Sequence, residues 1–162
     1  AGSLQGDLGF VRILERMGCT VDVRPTETEV VGPPPGSLKG VDVDMRTVSD
    51  TAQTLAVVAP FASSPTRVTG IGFIRGKETD RIAAVVTELN RAGIAAREEA
   101  DGFAVEPGLP GPARIETYDD HRMAMSFALL GLRVPGIEIL DPGCVSKTYP
   151  GFFDDLAGIA PR

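Results

Sequence analysis

Two stretches of this chain, 51–61 (TAQTLAVVAPF) and 123–132 (MAMSFALLGL), read as helices that are apolar or small nearly all round. A helix without a polar stripe has no face to offer to water and belongs in an interior. The stretches that read as strands behave differently. VDVDM at 41–45 and TRVTGI at 66–71 alternate apolar with polar residues, the pattern of a sheet that is wet on one face. Buried helices with half-exposed strands predict an inside-out arrangement, with helices at the centre and sheets around them.

The order of elements repeats. From Val41 the periodicity predicts a strand (41–45), a helix (50–61), a strand (66–71), a helix (78–92) and a hairpin (95–98 with 102–106). A second pass follows: strand 114–117, helix 120–132, strand 137–140 and a short helix 147–157, with no closing hairpin. Ahead of these, a helix at 6–17 and a hairpin (20–24 with 29–31) read as the tail of an earlier pass. The expected architecture is therefore α+β, a mixed α/β inside-out barrel domain built of βαβαββ units of roughly 65 to 70 residues. The chain, 1–162, would be one incomplete domain: a partial unit at 1–35, a full unit at 41–107 and a unit lacking its hairpin at 111–162. A fold that starts and stops in mid-repeat, beginning Ala1-Gly2-Ser3, is expected to be a piece of a larger protein. A complete small domain with a processed N-terminus is the alternative.

Composition narrows the function classes. With 43% hydrophobic and 23% charged residues and no long apolar run or leader-like start, the chain reads as soluble, cytosolic and not membrane-bound. A net charge of −6 without an extended basic stripe argues against coating nucleic acid, so anion binding has to be local. Cys19 and Cys144 are too few for a disulfide framework or a zinc site, and His121 is the sole histidine, so no metal centre is predicted.

Three short cationic clusters fall where helices are expected to start: KETDR at 77–81, DDHR at 119–122 and SKTYP at 146–150. A helix N-terminus already carries partial positive charge, so cations there are unfavourable unless an anion or a carboxylate offsets them. Three repetitions predict an anionic ligand. On a helix starting near Lys77, the side chains of Lys77, Glu78 and Arg81 can face the same end, although they also fit a solvated first turn with an internal ion pair. Asp119 and Asp120 suit N-caps. His121 and Arg122, ahead of an apolar helix, then form a candidate clamp for phosphate or carboxylate, the plainer role for the histidine being structural. Asp50 is either another cap or a site carboxylate. Lys147 is either a surface residue or a cation aimed at a ligand phosphate.

Taken in order, SLQGD (3–7), SDTAQT (49–54), KETDR (77–81), YDDHRMAM (118–125) and LDPGCVSKTYPGFF (140–153) resemble the C-terminal part of the EPSP synthase family. The resemblance covers nearly the whole chain. It implies a two-domain enzyme with its active site between two inside-out barrels. This chain would supply most of one domain, while the second domain and the N-terminal part that helps build this one would be absent. It further implies transfer of the enolpyruvyl group of phosphoenolpyruvate to the 5-hydroxyl of shikimate 3-phosphate with release of phosphate, in the shikimate pathway to aromatic amino acids. Neither a metal nor an organic cofactor is implied, and glyphosate would compete with phosphoenolpyruvate.

By motif position, Asp50 would orient and deprotonate the shikimate hydroxyl and Glu78 would handle the methylene proton. Arg81, Arg122 and Lys147, with His121, would bind phosphoenolpyruvate, and Lys77 would contact the shikimate hydroxyls. Four residues before Lys77, where many members carry an asparagine that helps hold the shikimate ring, this chain has Phe73. The competing readings are an enolpyruvyl transferase acting on UDP-N-acetylglucosamine, and a non-catalytic module that binds a phosphorylated metabolite or a partner protein.

Overall fold

A computed structural model describes residues 5–159; of the SLQGD segment, Ser3 and Leu4 lie outside them. The chain opens with a 3-10 turn and helix α1 (Phe10–Arg16), then an antiparallel hairpin of β1 (Thr20–Val23) and β2 (Thr28–Val31). Next come β3 (Asp42–Asp44), α2 (Ala52–Val58), β4 (Thr66–Thr69), α3 (Arg81–Arg91), β5 (Ala96–Glu99) and β6 (Gly102–Val105). These strands form one sheet in the order β3-β4-β6-β5, with β3 parallel to β4 and β6 antiparallel to both of its neighbours. A parallel pair of β7 (Ala113–Ile115) and β8 (Ile137–Ile139) flanks α4 (His121–Gly131), and α5 (Phe152–Ile159) ends the described chain. The fold is mixed α/β.

The helices lie where their composition predicts. No residue from Thr51 to Phe61 is exposed, and in α4 only Gly131 is. These two helices pack on each other and on α3, and Leu55, Ile82, Leu89, Met123 and Phe127 are fully buried among them. Strand alternation is equally plain. Val43 is buried between exposed Asp42 and Asp44, and Arg114 is exposed between buried Ala113 and Ile115. β6 departs from it, because all four of its residues are buried. Its Ala104 stands in register with Arg67 on one side and Arg97 on the other, and long arginine stems cover a small neighbour.

Two boundaries differ from expectation. The short helix expected at 147–157 is instead a 3-10 turn (Pro142–Lys147) followed by α5. Asp141 enters the turn in the left-handed region at φ 47°, and Pro150-Gly151 interrupts the chain before Phe152, so Lys147 closes a turn and does not open a helix. Lys77 likewise closes the 3-10 turn Gly72–Gly76, and α3 begins at Arg81. Among the described residues, no helix is long and apolar enough to cross a membrane.

Candidate active site

The N-terminal ends of α3 and α4 and the turn before α2 meet. Asp80 caps α3, its carboxylate accepting from the amides of Ile82 and Ala83 at 3.1 and 3.0 Å. Asp120 caps α4 by accepting from the amide of Arg122 at 2.8 Å. Asp50 sits in the 3-10 turn Ser49–Thr51 and caps nothing, which leaves its carboxylate for other partners.

Those partners are arginines. Arg81, 2% exposed, is held by three carboxylates: Asp120 at 2.7 and 3.3 Å, Glu78 at 2.9 Å and Asp50 at 3.4 Å. Arg122 donates to the Asp50 carboxylate at 2.6 Å and to the Asp50 carbonyl at 3.1 Å. Asp50 therefore bridges the two guanidinium groups. A buried arginine needs this much pairing, because an uncompensated charge out of water costs several kcal/mol. Arg122 and Asp50 are 29% and 37% exposed and open the cluster to solvent.

Electrostatics sort the protonation states. Burial pushes the Asp120 carboxyl up, but hydrogen bonds from Arg81 and from the Arg122 amide outweigh that and hold it below the usual carboxylate range. Glu78 is also held low, first by the hydrogen bond from its own backbone N–H and then by Arg81, with Lys147 contributing. His121 is 8% exposed and its Nδ1 has no hydrogen-bond partner. Burial pushes its imidazole below the ordinary histidine value, with Arg122 and Arg81 adding to the effect against Asp120, so it is neutral at pH 7.

The structure thus brings Asp50, Glu78, Arg81 and Arg122 into one hydrogen-bonded cluster, with His121 beside it. Lys147 is exposed, but its charge reaches the Glu78 carboxyl. Lys77 is exposed too, and among the described residues neither lysine forms an ion pair. Phe73 is 54% exposed on the turn that precedes Lys77. Sequence reasoning assigned Asp120 a cap and missed that it is also the main counterion of Arg81; the adjoining carboxylates ahead of His121-Arg122 were the available signal.

The β7–α4 connection is unusual. Tyr118 and Asp119 both adopt left-handed backbone, at φ 54° and 55°, which costs a non-glycine residue about 1–2 kcal/mol each. The Tyr118 hydroxyl donates to buried Glu88 at 2.7 Å, and burial followed by that contact pushes its phenol up to about 12. A separate concavity lies elsewhere. It is an apolar groove of about 800 Å³, lined by Pro33, Pro34, Leu38, Phe61 and Leu109 near the C-terminal end of α2, and it holds none of the clustered residues.

Solved structures share the fold. An EPSP synthase from Acinetobacter baumannii superposes with a TM-score of 0.79 at 29% identity, over 96% of this chain and 39% of its own. The enolpyruvyl transferase NikO from Streptomyces tendae superposes with a TM-score of 0.75 over 94% of this chain and 35% of its own, its 23% identity speaking to the fold alone. The architecture is thus one found among enolpyruvyl transferases. Residues 1–156 match the profile of EPSP synthase (3-phosphoshikimate 1-carboxyvinyltransferase), and the chain belongs to that family. Among relatives named 3-phosphoshikimate 1-carboxyvinyltransferase, that of Nostoc punctiforme is 54% identical over 93% of this chain and 35% of its own length. The one from Thiobacillus denitrificans is 46% identical over 98% of this chain and 37% of its own. The chloroplastic protein of Arabidopsis thaliana is 43% identical over 97% and 31%. The chain spans about a third of the length of the curated relatives it matches.

Proposed function

We propose that this chain supplies the phosphoenolpyruvate side of an active site that transfers the enolpyruvyl group to the 5-hydroxyl of shikimate 3-phosphate and releases phosphate. The observation that carries this reading is the Asp50–Arg122–Arg81–Glu78 cluster, in which two carboxylates and two arginines are held within hydrogen-bonding reach at the ends of buried helices. Anion binding alone gains nothing from carboxylates placed on its arginines. A reaction that protonates one carbon and deprotonates a hydroxyl uses both kinds of group.

In this scheme Asp50 takes the hydroxyl proton, and Glu78 handles the proton of the methylene carbon. Arg122 and Arg81 bind the phosphoenolpyruvate carboxylate through planar forks, Lys147 meets the phosphate as a point charge, and neutral His121 donates a hydrogen bond. Lys77 holds the shikimate hydroxyls, and Phe73 leaves it without an amide beside it. The domain is an inside-out barrel whose partial, full and hairpin-less units occupy 1–35, 41–107 and 111–162. A second domain and an N-terminal part complete the cleft, so this chain alone is inactive.

The test is phosphate release by the full-length parent given phosphoenolpyruvate and either shikimate 3-phosphate or UDP-N-acetylglucosamine. Release only with shikimate 3-phosphate is expected. Release only with the nucleotide sugar would move the chain to the sister chemistry, and release with neither would leave a binding module.

A further inference from the structure

The segment that delivers Asp120, His121 and Arg122 is strained and is tied down from one side. Two successive residues, Tyr118 and Asp119, occupy the left-handed region, where non-glycine residues persist only when their surroundings enforce it. The enforcement comes from α3. Glu88 has no solvent exposure, and its carboxylate collects three donors: the Tyr118 hydroxyl at 2.7 Å, the Glu116 backbone N–H at 3.1 Å and the Arg91 guanidinium at 2.8 Å. Arg91 in turn donates to the carbonyl of Arg114 at 3.1 Å. Every one of these bonds ends on, or leads to, the stretch from Arg114 to Tyr118.

Glu88 lies seven residues beyond Arg81 on the same helix, two turns along one face. A single edge of α3 therefore grips the connection twice, at Glu88 and at the Arg81–Asp120 pair. Turning the Asp120 amide onto the Thr117 carbonyl at 2.9 Å completes the bend between them. Core packing alone does not ask for an ionised side chain at this place, since an apolar residue fills the same volume without a desolvation cost. We propose that Glu88, acting through Tyr118, is a positioning residue for the proposed reaction: it enforces the left-handed pair at 118–119 and so keeps Arg122 on Asp50 and Asp120 on Arg81. The kinetic side of this inference rests on the proposed function; the geometric side does not.

Tyr118→Phe in the full-length protein removes one hydrogen bond and keeps the ring. Amide hydrogen exchange at Asp120 and Arg122 is expected to quicken about tenfold, the loss of one hydrogen bond, while amides in the middle of α4, such as that of Phe127, stay at the wild-type rate. Equal acceleration throughout α4 would mark a general loss of stability and overturn the proposal, as would unchanged exchange at Asp120 and Arg122. In the active enzyme KM for phosphoenolpyruvate should rise about tenfold with kcat changed far less, and an unchanged KM would also overturn it. If the wild-type protein released no phosphate, the functional reading would fall and the exchange rates would still decide the positioning claim.

Discussion

At the scale of single residues, His121 offers a clean titration, because no other histidine exists in the chain and only histidine side chains ordinarily titrate between pH 5 and 7. Its folded value is lowered, so between the two values the unfolded chain binds a proton that the folded chain does not. Stability is then full above about pH 6.5, the unfolded histidine value, and is lost as pH falls through the lower folded value. Thermal unfolding of this chain from pH 7.5 to 5.5 should show that decline, and His121→Gln should flatten it. Asp120 is a different case. Asp120→Ala removes the bidentate partner of a buried arginine and the cap of α4 together, and chemical denaturation should register a loss of about 3–5 kcal/mol. The sequence announced this aspartate as a cap through its place before His121. The adjoining carboxylates hinted at a second role, but its partner was illegible, because Arg81 stands 39 residues away and no local pattern carries that distance.

At the scale of elements, the helices were the legible part. The all-round apolar character of 51–61 and 123–132 anticipated burial that the structure shows everywhere but at Gly131 and Leu132, and α3 and α4 fall within three residues of their expected starts. Where periodicity failed, at 147–157, the cause was a left-handed Asp141 followed by a proline, a local geometry with no hydrophobic signature. Both expected hairpins are present, but contacts between strands distant in the chain were illegible for the same reason that the Asp120–Arg81 pair was. Gly102 makes the point, since the sequence marks it only as the first residue of a hairpin strand, yet its missing side chain lets β6 lie against the backbone carbonyl of Val68 on β4. A Cβ there would collide with that carbonyl. Gly102→Ala should therefore cost about 3 kcal/mol or more by urea unfolding, whereas Gly93→Ala, in open space after α3, should show only the smaller cost of its φ of 83°.

At the scale of the whole molecule, the cluster is shared by the starts of α3 and α4 and the turn before α2, so its integrity and the packing of α2, α3 and α4 are one property. Lys147 stands outside that dependence because it is exposed and forms no ion pair among the described residues. In the full-length protein Lys147→Ala should lower kcat/KM for phosphoenolpyruvate about 10- to 100-fold, the worth of a charge-assisted contact, with melting temperature unchanged; Arg122→Ala should lower both, because it also releases Asp50. That last contact also works as a rivet. Asp50 and Arg122 stand 72 residues apart in the chain and meet at 2.6 Å, and the Asp50 carbonyl takes a second bond from the same guanidinium. Because the other carboxylate oxygen of Asp50 reaches Arg81, a shift at the start of α4 is handed to the turn before α2 and to α3 through a single side chain.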